Sequence, residues 1–174
     1  MTSAQLTAWR NYALTQTKKN PVTGVTYSPT AINVFVGLTT KFLQVSPTGT
    51  IPMNPPTGSF SGDSITVTAA GSAGKITFTA SAANAAGVKT ELLLQTMKSS
   101  AREPQDNGYR SLTFVAFATG SLEYQANLAP GIYAAAYRFV ETATGRETDF
   151  IEIPVVTVSL AVEEGGASEK RKAA

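Results

Sequence analysis

Residues 128–147 read Leu-Ala-Pro-Gly-Ile-Tyr-Ala-Ala-Ala-Tyr-Arg-Phe-Val-Glu-Thr-Ala-Thr-Gly-Arg-Glu, and no other stretch constrains the fold as tightly. A Pro-Gly turn opens a long run free of turn residues, and a Thr-Gly turn closes it. In an extended strand successive side chains point to opposite faces. Tyr133, Ala135, Tyr137 and Phe139 therefore share one face, and Ala134, Ala136 and Arg138 the other. Large apolar residues at every second position describe a strand with one side in a core.

Other segments show the same period. Ile65 and Val67 alternate in a first strand, and Ile76, Phe78 and Ala80 in a second after a turn at 71–74. A third runs through Leu92 and Leu94 to Met97, followed by a polar loop at 101–108. Leu112, Phe114 and Ala116 share a face of the fourth, with Val115 and Phe117 opposite. A short fifth passes Leu122 and Tyr124, the stretch from Tyr133 to Phe139 is the sixth, and the seventh runs from Phe150 through Ile153 to Val158. Pro154 marks that last strand as an edge or a bulge. Short strands at this spacing predict a sandwich.

The turn and strand at 128–139 resemble the E–F corner and F strand of a fibronectin type III domain, in which a Leu-x-Pro-Gly turn leads to a tyrosine that pins the corner. Leu128 and Tyr133 stand one residue closer than the usual spacing, and the second strand lacks the family's Trp. The resemblance implies a mainly β, seven-stranded immunoglobulin/fibronectin III-like sandwich over 59–162, with Tyr133 as the corner residue. It speaks to fold, and fold does not carry function.

The first third of the chain differs. Residues 1–62 contain no Asp or Glu, and with Arg10, Lys18, Lys19 and Lys41 they carry a charge of +4 within a chain whose total is +2. Thr2 or Ser3 can cap a helix running to about Lys18, with Leu6, Trp9 and Ala13 on one face and Tyr12 beside them. Asn20 and Pro21 end it, and 22–25 reads as a turn. Ser28 and Pro29 then look like a cap and a first-turn proline. Ile32, Phe35, Leu38, Phe42 and Val45 fit a helical stripe, and a strand at 32–38 is the alternative. The expected layout is an N-terminal helical arm at 1–45, a Pro-rich linker at 46–58, the sandwich at 59–162, and a polar tail at 163–174 bearing Lys170, Arg171 and Lys172. Trp9, Tyr12, Phe35 and Phe42 need a packing surface, either the chain's own sandwich or a neighbouring subunit. Together with Arg10, Lys18 and Lys19 they are the expected interaction residues of the arm. Four bases in this segment do not make a polybasic tail, so nucleic acid is not an expected partner.

No residue of the sequence stands out as catalytic, cofactor-binding or metal-ligating. The chain has neither Cys nor His. That excludes disulfides, thiolate metal sites, and triads built on histidine. Asp63, Glu91, Asp106, Glu123, Asp149 and Glu152 are dispersed and form no evident dyad. The Asp106-Asn107-Gly108 turn lacks the spaced acids of a calcium loop, and the glycines at 71–74 lack the Lys-Ser/Thr of a phosphate loop. Arg146 is followed by Glu147 rather than Gly, which removes the integrin-binding tripeptide carried by some fibronectin modules. The first residues do not read as a signal peptide, and no apolar run reaches the roughly 20 residues needed to span a bilayer. The expectation is a protein assembled in the host cytoplasm.

Charged residues make up only 15% of the chain, below the typical quarter. Low charge, an aromatic and acid-free arm, and a linker leading to one sandwich resemble the layout of phage virion accessory proteins. The leading expectation is therefore a non-enzymatic structural protein of a large assembly, partnered by itself and other subunits. The alternative is a bacterial or prophage binding module whose loops, such as 101–108, engage glycan or protein.

Overall fold

The computed structural model describes residues 1–20 and 23–160. The expected tail at 163–174, the sandwich's last expected residues, and Pro21 and Val22 of the expected turn lie outside the described residues.

Four short elements precede the sandwich: α1 (Ser3–Leu14), β1 (Lys18–Lys19), β2 (Thr26–Tyr27) and α2 (Ala31–Val45). The start of α1 is a capping box. The Thr2 hydroxyl accepts from the Gln5 N–H at 3.2 Å, and the Gln5 side chain accepts from the Thr2 N–H at 2.7 Å. The helix stops at Leu14, short of the expected Lys18. Thr15 and Thr17 are poor helix formers, and Lys18 and Lys19 instead pair with Tyr27 and Thr26 in a two-residue ribbon.

The second element is a helix, not a strand. Its cap is Thr30 rather than Ser28, with the Thr30 hydroxyl accepting from the Asn33 N–H at 3.3 Å. Val34, Phe42 and Val45 are buried, and Phe35 and Leu38 are half-buried. Ile32 faces water at 68% exposure, so the buried stripe starts at Val34 instead. At about 100° per residue, Ile32, Val36 and Leu43 share the opposite face.

The sandwich comprises β3 (Val67–Ser72), β4 (Lys75–Ala80), β5 (Val88–Met97), β6 (Arg110–Val115), β7 (Glu123–Asn127), β8 (Gly131–Glu141) and β9 (Ile151–Val158). One sheet has the order β3-β4-β7 and the other β6-β5-β8-β9, with every neighbouring pair antiparallel. Lettered A, B, C, C′, E, F, G in chain order, this is ABE against C′CFG, an immunoglobulin/fibronectin III-like sandwich. The core lies between the sheets. Ile76 and Phe78 of β4 meet Leu92 of β5 and Tyr133, Ala135, Tyr137 and Phe139 of β8 there.

The corner forms as the turn motif implies. The Tyr133 hydroxyl donates to the Ala129 carbonyl at 2.8 Å despite the shortened spacing. On the fourth strand the expected face assignment is corrected. Pairing shifts between Leu92 and Leu93, which face Thr113 and Ser111 and leave Leu112 as a bulge. A bulge breaks strict alternation. Leu112, Val115 and Phe117 thus pack toward the core, while Phe114 turns to the outer face. On β9 the register shifts between Ile153 and Val156, so Pro154 sits in a bulge of an edge strand. That edge closes against β3 through the Ala73–Ser159 bridge. A Cβ on Gly71 would lie 2.0 Å from the Thr157 carbonyl oxygen, so only glycine admits this approach.

The arm and its seat, a candidate interaction site

The outer face of the β6-β5-β8-β9 sheet is covered at both ends. At one end Leu93, Met97, Ala134 and Ala136 pack with Tyr109, and Phe150 lies beside them. The Tyr109 hydroxyl donates to Glu152 at 3.2 Å. Burial first, then the Glu152 carboxylate, pushes this phenol up to about 12. Tyr109 is therefore turned inward, and the loop before it presents no aromatic side chain to solvent.

At the other end the arm sits over Glu91 of β5 and Arg138 of β8. Glu91 is wholly buried. Lys41 of α2 approaches its carboxylate at 2.9 Å, and Arg138 at 2.6 Å. Glu147, in the β8–β9 turn, stands 3.2 Å from Lys41 and 3.0 Å from Arg138. The four charges alternate in a closed, neutral ring, and Lys41 is its one member from the arm. Its ammonium also lies 5.4 Å from the centre of the Phe114 ring. Burial alone would raise the Glu91 pKa. Hydrogen bonds from Arg138, Lys41 and Ser111 outweigh it and hold the carboxyl below its ordinary 4.5. A buried carboxylate left without these partners would be costly; paired in this way it fixes where the arm rests.

The backbone of α2 rests directly on the β8–β9 turn. Gly145 has φ +76°, and a Cβ there would stand 2.3 Å from the Leu38 carbonyl oxygen and 2.6 Å from the Phe42 nitrogen. Only glycine combines that φ with that contact. The turn is held by Arg146, which grips Glu141 through two nitrogens at 2.9 and 3.0 Å and donates to the Gly58 carbonyl at 2.9 Å. The Thr144 hydroxyl also bonds Glu141. Burial opposes ionisation of Glu141, but Arg146 and Thr144 prevail and lower its pKa. At the helix end, the Lys89 ammonium donates to the Val45 carbonyl at 3.0 Å, a cation where the dipole favours one.

The arm has its own small core. Trp9, Ala13 and Val34 are buried together, with Tyr12, Ala31, Phe35 and Leu38 against them. The Trp9 ring meets Tyr12 and Phe35 edge-on, with centroids 5.8 and 5.1 Å apart. Its indole N–H donates to the Met53 carbonyl at 3.0 Å, so the linker folds back over the arm. Trp9, Tyr12 and Phe35 thus pack chiefly on one another, and Phe42 is buried against the linker's Gly49 and the Gly145 turn. Arg10, Lys18 and Lys19 are exposed. Lys18 and Lys19 join Tyr12, Lys41, Glu147 and Phe150 along an open groove of about 830 Å³ between arm and sandwich.

The dispersed acids have structural posts. Asp63 accepts from Asn84 at 3.2 Å and from the Ala85 N–H at 2.7 Å. Glu152 accepts from Tyr109, and Asp106 begins a 3-10 turn at Asp106–Gly108. The sequence pattern does not group Lys41, Glu91, Arg138 and Glu147; its one signal is two charges, Glu91 and Arg138, in the middle of strands rich in apolar residues. Among the described residues no cluster of three or more acids is placed to hold a metal ion, and no helix is long and apolar enough to cross a membrane.

These features define a fibronectin III-like sandwich with a helical arm seated on its C′CFG face. No family model and no curated protein matches the chain. Solved structures it is similar to include the FN1–FN3 domains of chicken CNTN1, at 12% identity and a TM-score of 0.37, covering 57% of this chain and 33% of that one. Another is the fibronectin type III domain of human fibronectin type III domain containing protein 3, also at 12% and 0.37, covering 64% of this chain and 100% of that domain.

Proposed function

We propose that this chain is a non-enzymatic structural subunit of a large assembly, of the type that decorates or joins the shell or tail of a phage-like particle, and that its arm ties it to neighbours. One observation carries the reading. The outward face of α2 exposes Ile32 at 68%, Val36 at 52% and Leu43 at 37%, three apolar side chains on one side of a helix whose other face is already buried. Apolar side chains gathered on one exposed helix face suit a contact with another protein. The exposed cations Arg10, Lys18 and Lys19 on an arm without acids suit an acidic surface beside that contact.

The test is incorporation. Phage-like particles assembled in cells that express the tagged wild-type chain should contain it. A chain carrying Ile32→Asp and Val36→Asp should fold with an unchanged thermal midpoint yet be depleted from particles. Equal incorporation of both chains would overturn the reading.

A further inference from the structure

The open groove between arm and sandwich, about 830 Å³, is within the size range of ligand sites. One wall is α2, which presents Asn33, Gly37 and Lys41 at successive fourth positions, a single stripe of the helix. Gly37 is exposed in the helix interior, and a Cβ there would meet nothing within 4 Å. Glycine is a poor choice at such a place, because it loses more chain freedom on folding than any other residue. Gly49, Gly71 and Gly145 each answer to a close neighbour within the chain; Gly37 answers to none. What a bare Cα offers there is close approach for a backbone from outside.

The facing wall is residues 15–19, which line the groove in succession. They include both residues of β1, whose sheet has only β2 as a second strand, so one edge of β1 is unpaired. Neighbouring side chains of a strand point to opposite faces, and a groove that touches both Lys18 and Lys19 therefore borders that edge. An exposed strand edge accepts an extended peptide by main-chain hydrogen bonds. Charge narrows the ligand further. Lys18 and Lys19 are exposed and make no ion pair among the described residues. Lys41, Arg138 and Arg146 also line the groove but are held by Glu91, Glu147 and Glu141. Asp149 is the one lining carboxylate outside those pairs, so the uncommitted charge of the groove is positive. We propose that the groove binds an extended, acidic segment of another protein, its main chain laid between β1 and Gly37 and its carboxylates on Lys18 and Lys19. The site is separate from the exposed Ile32, Val36 and Leu43, and its test is independent of the assembly reading.

The experiment pans the full chain against a display library of random dodecapeptides. The enriched peptides should be rich in Asp and Glu. The strongest, synthesised with a fluorescein label, should bind the wild type in an anisotropy titration. Its affinity should fall about tenfold or more for the Lys18→Glu, Lys19→Glu variant, and likewise for Gly37→Gln, whose side chain fills the approach to the helix. Gly37→Ala separates contact from folding: it should raise the thermal midpoint by about 2–4 °C, as expected for removal of a helix-interior glycine. A midpoint that stays level or falls would overturn the proposal, since the glycine would then serve this chain's own fold. Failure to enrich acidic peptides would overturn it too, as would binding that Gly37→Gln leaves intact. A glycan array run in parallel covers the other class of ligand; a sugar whose binding Gly37→Gln abolishes would assign the groove to carbohydrate and overturn the peptide.

Discussion

Lys41 of α2 and Glu91 of β5 are 50 residues apart in sequence and 2.9 Å apart in space, with the carboxylate wholly buried. This pair turns the outer face of the C′CFG sheet from a free surface into a seat for the arm. It separates the cost of losing the lysine from that of losing the acid. Lys41→Met keeps the apolar stem and leaves Glu91 with Arg138. It should cost about 2 kcal/mol, as for a hydrogen bond to a charged group, and should raise amide exchange across α2. Glu91→Ala leaves Lys41 and Arg138 to share Glu147 alone beneath the helix and should cost more, roughly 3–5 kcal/mol. Denaturant midpoints at neutral pH rank the two; an equal and negligible effect would show that the ring does not hold the arm.

Acid should act on the same site. The pKa values of Glu91 and Glu141 are both lowered in the folded chain. A carboxyl whose folded value lies below its unfolded value contributes stability that is fully present above the unfolded value, near the ordinary 4.5, and is lost as pH falls through the folded value. Stability should be level through the neutral range and fall below about pH 4.5. Glu91→Gln should flatten that fall. Denaturant midpoints taken at steps from neutral to acid pH check this, and an unaltered acid slope in the variant would contradict it.

Alkali should act at the opposite end of the sheet. The Tyr109 pKa is raised from 10.0 to about 12. A raised folded value means stability fully present below the ordinary value and lost as pH climbs through the folded one. Of the six tyrosines, Tyr109 should ionise late in a tyrosinate absorbance titration, and Tyr109→Phe should remove that late step. Loss of an early step instead would contradict the burial and the Glu152 contact.

The corner bond is a local test of the fold. Tyr133→Phe removes only the hydroxyl that donates to the Ala129 carbonyl at 2.8 Å, and should cost about 1 kcal/mol in an otherwise unchanged sandwich. An unchanged denaturant midpoint would mean that the bond contributes nothing to holding the turn.

Much of the sandwich is legible in sequence because each strand writes its core face at a period of two. Ile76, Phe78 and Ala80 of β4 and the aromatic face of β8 show it without ambiguity. The arm's seat is less legible. Residues 91–94 of β5 are buried in succession, since the core takes one face while α2 covers Glu91 and Tyr109 covers Leu93 on the other. No local pattern names the helix that covers the second face. Lys41 looks like one of four bases in an acid-free segment, and its role appears only when Glu91, Arg138 and Glu147 converge on it. The bulge at Leu112 is likewise invisible, so Phe114 is assigned to the wrong face. Ile32 is misplaced for a simpler reason. A helix that is apolar on two sides offers two stripes, and composition alone cannot say which faces inward.

A chain that works joined to others through its arm must form oligomers. Light scattering reads this as the molar mass of the purified full-length protein across a wide concentration range, beside that of the Ile32→Asp, Val36→Asp variant. The account predicts a defined oligomer for the wild type and a folded monomer for the variant; a wild-type mass of one chain, 18.2 kDa, at every concentration would contradict it.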